Sequence, residues 1–297
     1  MVFEMKPILV VVHIYYSNLW SELKKSIQSI QAYPFELYVT MTEKKLDIEE
    51  DIHQTFPKAK IEIVDNRGYD VGPFVHVLNK LNLDNYSYIV KLQTKRDLPR
   101  CNTGFRNMHS SIWRENLLIP YRQETTFKKY IDYFDKCPQV GMQANYQVIV
   151  HKDTYDKKAK ELLDNFLKEH HLPKMKHAFV AGTMFIARAH LFKPLQELKI
   201  DLDDFPEQTT HAEKHTSQLA HALERFLGYM VYYQGLIISD GAVSTRKQQM
   251  YHKNIYLKSL LTPVVHFFWQ KKVTRSGKLL IKIFKIPVLR IKRRDND

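Results

Sequence analysis

The first hundred residues alternate between two hydrophobic periods, and this alternation rules out most architectures. Residues 6–16 (KPILVVVHIYY) hold five consecutive apolar positions and end in His13, Tyr15 and Tyr16, the pattern of a strand buried on both faces. Residues 17–30 switch to helical spacing through Leu19, Trp20, Leu23, Ile27 and Ile30. A second strand over 35–42 ends in Thr40 and Thr42, and a helix acidic on its outer face covers 46–56. A third strand at 61–64 leads to a helix over 73–81, and a fourth at 86–92 (YSYIVKL) runs into Gln93, Thr94, Lys95, Arg96 and Asp97. Strands and helices joined by short connections predict an α/β fold with a mostly parallel central sheet and right-handed crossovers.

Residues 65–70 (DNRGYD) carry no hydrophobic period, and Gly72-Pro73 suits a first helical turn, where proline gives up only a donor that has no partner. Such a polar turn lies at the carboxyl end of a strand, where open α/β sheets bind ligands. Asn, Gly and Asp also make ordinary turns. The other three strands end in polar clusters too. One rim would then present His13 and Tyr15, Thr40 and Thr42, the 65–70 turn and residues 93–97, a span suited to a nucleotide.

Beyond residue 97 the pattern is less regular. Trp113 and Arg114 sit on an expected helix, a short strand begins at Val140, and residues 151–171 read as a lysine-rich surface helix. Residues 178–188 (AFVAGTMFIAR) read as one strand containing Gly182, and glycine inside a strand often marks close approach of a ligand or another backbone. Residues 190–198 look helical, and residues 219–229 (LAHALERFLGY) form a helix with Leu219, Leu223, Phe226 and Leu227 on one face. The expected layout is a domain over 1–250, with a surface helical insertion at 151–176, and a separate segment over 251–297.

Composition narrows the function. The chain carries +13, but +8 of this lies beyond residue 270, where ten Lys/Arg face two Asp. A nucleic-acid-binding fold would carry a basic stripe across its body, so no nucleic-acid partner is expected. Leu279, Leu280, Ile283 and Phe284 against Lys278, Lys282 and Lys285 read as an amphipathic helix suited to an anionic membrane surface. Cys101 and Cys137 match neither a metal spacing nor a disulfide framework. No apolar run approaches the roughly 18 residues of a membrane span, and no signal-peptide cleavage region follows Met1. A cytoplasmic protein, peripheral to the membrane, is expected.

Gly-rich phosphate loops, GxSxG and HExxH are all missing from the sequence. What remains is the rim. Lys95-Arg96 would neutralise a leaving diphosphate; Mg²⁺ or Mn²⁺ on carboxylates is the alternative, and no cofactor is otherwise indicated. Two carboxylates are candidate catalytic bases: Glu207, after Phe205-Pro206, and Glu224, beside His221 and Arg225. The pair formed by Glu224 and Arg225 reads equally well as a structural ion pair. His211 and His215 are four apart, as helix-borne metal ligands are, but in a stretch poor in apolar residues that reads better as a surface helix.

DNRGYDVGPF, KLQTKRD, Trp113-Arg114, AGTMFIAR and AHALERF, in this order, resemble the rhamnan synthesis protein F family of glycosyltransferases. The resemblance implies a GT-A-type nucleotide-binding fold that moves a sugar, commonly rhamnose, from a nucleotide-sugar donor such as dTDP-rhamnose or a UDP-sugar. The acceptor it implies is a growing bacterial surface polysaccharide; the membrane reading of the tail fits a lipid-linked one, and direct displacement with a carboxylate base would invert the anomeric carbon. Gln93 stands where the family pattern has His, and no Asp-x-Asp metal motif ends the fourth strand. The substrate-binding set expected from the strand-end rim and these blocks together is His13, Tyr15, Thr40, Asn66, Arg67, Gly68, Asp70, Gln93, Thr94, Lys95, Arg96, Trp113, Arg114, Gly182, Thr183, Met184, His221 and Arg225. A non-catalytic scaffold that retains this fold in a polysaccharide-assembly complex is the alternative.

Overall fold

The fold is described from a computed structural model covering residues 6–95, 110–151, 156–207, 218–241, 269–273, 278–283 and 286–292, the last three by backbone alone. Its elements in order are β1 (Ile8–Ile14), α1 (Trp20–Gln28), β2 (Phe35–Met41), α2 (Leu46–Thr55), β3 (Lys60–Ile63), α3 (Val71–Asn79) and β4 (Tyr88–Gln93). Then come α4 (Ser110–Leu118), α5 (Glu124–Lys136), β5 (Val140–Gln143), β6 (Ile149–Val150), α6 (Lys157–Glu169), β7 (Phe179–Val180) and β8 (Phe185–Arg188). The remainder is α7 (Lys193–Glu197), α8 (Leu219–Tyr233), β9 (Ile237–Ser239), β10 (Trp269–Val273), β11 (Lys278–Ile283) and β12 (Ile286–Lys292). The chain divides into two compact units, Met1–Arg96 with Arg114–Ser244, and Asp97–Trp113 with Thr245–Asp297.

The first unit is built on a seven-stranded sheet of order β3-β2-β1-β4-β8-β5-β9. The first four of these are mutually parallel, as the alternation predicted. β8 runs antiparallel to both β4 and β5, and β9 is parallel to β5, so the sheet is mixed but mostly parallel. Register fixes what the rim displays: His13 pairs with Thr40 on one side and Gln93 on the other, so three polar residues stand in one row across the strand ends.

Packing holds α3 in place. It spans nine residues, with Gly72-Pro73 in its first turn, too short and too poor in propensity to persist alone. It buries Val71, Phe74, Val75, Val77 and Leu78, each contributing about 1.5–3 kcal/mol. Phe74 meets Phe185 and Phe192 edge-on, at ring distances of 6.0 and 5.6 Å. The beginning of α3, and with it Asp70, is thereby fixed against β8.

Two expectations are corrected. Residues 178–188 are not one strand: β7 pairs with β6 and β8 lies in the large sheet, and the turn between them holds Gly182 (φ +81°) and Thr183 (φ +51°). Two consecutive residues with positive φ cannot continue a strand. The lysine-rich helix at 157–169 keeps Lys157, Lys158, Lys160 and Lys168 exposed and packs its other face, with Ala159, Leu163, Phe166 and Leu167 buried and Phe166 on Phe226 of α8 at 5.0 Å. The basic tail, expected as a helix, forms an antiparallel sheet of order β10-β11-β12 in the second unit. Ile281, Ile283, Ile286, Val288 and Ile291 are β-branched and suit strands. Pro287 sits in the edge strand beside a bulge at Ile281/Lys282, where a missing ladder donor is tolerated.

Candidate active site

The carboxyl ends of β1, β2 and β4 converge with the turn before α3, the 181–184 turn and α8 on one buried network. At its base is Lys91, whose side chain is 2 % exposed in the middle of β4. An ammonium has three hydrogens. Lys91 Nζ donates to Asp70 Oδ2 (2.5 Å), Thr183 Oγ1 (2.9 Å) and Gln93 Oε1 (3.3 Å), and so is fully used. The Thr183 hydroxyl donates to the same Asp70 oxygen, and Gln93 Nε2 donates to the carbonyl of Gly182 (2.5 Å) and to Thr183 Oγ1 (3.1 Å). These bonds hold Thr183, a β-branched residue, at a positive φ that costs of order 1–3 kcal/mol.

The other side of the turn is held by α8. The Gly182 N–H donates to Glu224 Oε1 at 2.7 Å, and Arg225 Nη1 lies 3.4 Å from Glu224 Oε2. Arg225 also donates to the carbonyl of His221 (2.8 Å) and lies over the Phe179 ring at 4.8 Å, so it anchors α8 to β7. The His221 ring meets Tyr69 edge-on at 5.3 Å, and its Nδ1 accepts from the backbone N–H of Gln218.

Two carboxylates thus share one site with opposite electrostatics. Desolvation raises the pKa of Asp70, but Lys91, Lys95 and the Thr183 hydroxyl outweigh it and bring the value down to about 2. Glu224 is pushed above its ordinary value, because burial outweighs Arg225, the Gly182 N–H and Lys95, and Asp70 adds to the rise. Burial lowers Lys91, with Asp70 opposing. His13, also buried, falls to about 4 and is neutral near pH 7; its Nδ1 is 3.0 Å from Thr40 Oγ1.

The polar turn forms a second wall. Arg67 Nη1 donates to the carbonyl of Phe205 (2.9 Å), and Arg67 bridges Glu207 through the backbone, with Nη2 3.9 Å from Glu207 Oε2. Gly68 (φ +66°) packs so closely that a Cβ would stand 2.6 Å from the Phe205 ring. Tyr69 follows at φ +54°. Glu207 is 66 % exposed, whereas Glu224 is 20 % exposed.

The expected residues therefore separate. Asp70, Gln93, Gly182, Thr183, Glu224 and the row of His13 and Thr40 are brought together, with Lys95 close enough to act on both carboxylates. Thr94 is a strut: its hydroxyl accepts from the N–H groups of Tyr15 and Tyr16, both at 2.9 Å. Met184 is buried behind the turn, and Arg114 pairs with Glu22 at 2.9 Å and reaches the carbonyl of Lys95 at 3.4 Å. Asn66 lies in the polar turn, and Trp113 belongs to the second unit. Arg96, His211 and His215 lie outside the described residues. Lys91 is the residue that sequence reasoning missed. Its one signal was a lysine inside an apolar strand, YIVKL, where a charge needs a partner.

Among the described residues no three His, Cys, Asp or Glu side chains gather as a cation site. The carboxylate at the centre, Asp70, has one oxygen committed to Lys91 and Thr183.

The fold and this rim define an α/β protein with a buried polar network at the ends of its parallel strands. Its sequence matches the family described as rhamnan synthesis protein F over residues 1–236, and the chain belongs to that family. Two curated relatives, both named uncharacterized protein WxcX and both from strains of Xanthomonas campestris pv. campestris, are 25 % identical over 229 residues. That match covers 76 % of this chain but 31 % of each relative, so the chain spans about a third of their length. A solved structure, S. aureus TarS 1-349, overlaps 93 % of this chain and 96 % of its own at 11 % identity and a TM-score of 0.34, a likeness too loose to carry an argument.

Proposed function

We propose that the chain is a GT-A-type glycosyltransferase that moves a hexose, rhamnose in the first instance, from a dTDP- or UDP-sugar to a lipid-linked surface polysaccharide. One observation carries this reading: Asp70, before α3, and Glu224, on α8, are both half-buried and bonded to neighbouring residues of one turn, Thr183 and Gly182, with their proton affinities driven apart. Such a pair divides the labour of acid–base chemistry. Asp70, ionised at any working pH, is a binding group and too weak a base to take a proton. Glu224, raised and held by the Gly182 N–H, is the base.

In the proposed reaction Glu224 takes the proton of the acceptor hydroxyl as its oxygen attacks the anomeric carbon. The bond from that carbon to the diphosphate oxygen breaks, and the configuration inverts. The nucleoside diphosphate leaves with its bonding electrons, and Lys95, with Arg96, offsets its charge. Glu207, exposed and tied to Arg67, shapes the acceptor side instead. Since a lipid-linked acceptor sits at the membrane, the proposal includes a position at the inner face, where the basic segment beyond residue 270 meets anionic lipid. Among the described residues no helix is long and apolar enough to cross a membrane.

The test is release of nucleoside diphosphate from a panel of nucleotide sugars mixed with lipid-linked glycan acceptors. Turnover that Glu224→Gln removes and Glu207→Gln keeps supports the reading. A wild-type protein that binds donor but releases no nucleotide with any acceptor, while partner enzymes co-purify with it, favours the scaffold.

A further inference from the structure

We infer that Lys91 is the positioning residue of this site: from beneath the strand ends its ammonium fixes one oxygen of Asp70, so that the other is presented at the open end of the pair as the acceptor for a hydroxyl of the bound glycosyl nucleotide. The inference rests on the reading of the site as a nucleotide-sugar site and assigns a role to a residue that cannot touch the substrate.

Three observations carry it. Lys91 has no donor to spare, since its three hydrogens go to Asp70, Thr183 and Gln93. Asp70 Oδ2 accepts from both Lys91 and Thr183, while Asp70 Oδ1 has no partner among the described residues. Exposure runs the same way: the lysine side chain is 2 % exposed and the aspartate 19 % exposed, so the pair has a covered end and an open end. The turn follows the same logic. Thr183 is held at a positive φ by bonds to this pair and to Gln93, and its neighbour Gly182 carries the N–H that orients Glu224. Lys91 thus sets one carboxylate directly and the other through two residues of backbone. The charged and titratable groups that face the pair are His13 from β1, Lys95 beyond β4 and Glu224 from α8.

The test measures binding of UDP, dTDP and their sugars to the full chain by calorimetry between pH 5 and 8. All variants are made in a Glu224→Gln background, so that the titration of Glu224 does not contribute. Lys91→Met is expected to weaken binding about tenfold or more, the scale of one charge-assisted hydrogen bond. It is also expected to add a loss of affinity towards low pH that the parent lacks, because an aspartate without the ammonium takes up a proton more readily. A lysine that only supports the fold would lower the melting temperature and leave affinity and its pH dependence unchanged; that result overturns the inference. The decisive comparison is Asp70→Asn with Asp70→Asn/Lys91→Met. Equal affinities mean that Lys91 acts only through Asp70, whereas a further tenfold loss means direct contact with the ligand and overturns it. This comparison stands even where Lys91→Met alone fails to fold, since the double variant removes both charges together. If the parent protein binds none of these nucleotides, the transferase reading and this inference fall together; binding that Lys91→Met leaves intact removes the inference alone.

Discussion

Gly228 lies on α8, four residues beyond Glu224, and packs closely on the backbone at Ala178 and Phe179. In an isolated helix Gly228→Ala would stabilise by about 1 kcal/mol, because alanine is the better helix former. Here the new Cβ would stand 2.2 Å from the carbonyl oxygen of Ala178 and 2.7 Å from Phe179 Cα. Both are backbone atoms of a paired segment and cannot swing aside as a side-chain tip can. Overpacking of this kind costs about 1–3 kcal/mol, and contacts this short belong at the upper end. The net effect is a loss of about 1–2 kcal/mol, or a melting temperature lower by roughly 2–8 °C for a domain of this size. Displacement of α8 also lengthens the 2.7 Å bond from Gly182 N to Glu224, so turnover falls further than stability accounts for. Thermal unfolding followed by circular dichroism measures the first effect, with Asn165→Ala, at an exposed position of α6, as a control for helix propensity. A Gly228→Ala protein as stable as the wild type, beside a normally behaved control, would refute the packing argument.

Further outcomes follow from the same geometry. Glu224→Gln should lower turnover by about 10²–10⁴-fold with the fold intact, while Glu207→Gln should change it little. In the wild type the acid limb of the pH–rate profile should be shifted up from that of an ordinary glutamate, with activity lost as Glu224 takes up a proton on going down in pH. His13 gives a stability signature of its own. The folded value of about 4 lies below the unfolded 6.5, so stability is complete above pH 6.5 and declines as pH falls towards 4. Denaturant unfolding should show a loss of about 3 kcal/mol across that window, and His13→Gln should flatten it. Gly68→Ala should destabilise by about 1–3 kcal/mol, since it places a Cβ both at a positive φ and against the buried Phe205 ring; urea melts read this directly.

The parallel half of the sheet was legible because its signals are local. Residues 8–14, 35–41 and 88–93 are short apolar runs flanked by helical spacing, and no distant contact is needed to assign them. The 65–70 turn was legible for the same reason. Elements set by tertiary context were not: β9 has only three residues, too few to separate from a loop, and the 181–184 turn depends on Lys91 and Glu224 reaching it from elsewhere in the chain, whereas α5 does carry a helical pattern in Phe127, Tyr130, Ile131 and Phe134. Lys91 illustrates the limit most plainly. It lies 21 residues from Asp70 and 92 from Thr183, and only the fold makes the three a unit. In the tail, spacings of three and four among Leu279, Leu280 and Ile283 coexist with an equally good alternation, and pairing with β10 and β12 decides for the strand.

The central claim is that the rim around Asp70 and Lys95 binds a nucleotide sugar, and calorimetric titration of the full chain with UDP- and dTDP-sugars tests it most directly. The account predicts saturable binding of at least one donor, weakened about tenfold or more by Asp70→Asn and by Lys95→Ala, as loss of a charge-assisted contact requires. No heat of binding from any nucleotide or nucleotide sugar, in a sample that unfolds cooperatively, would contradict it.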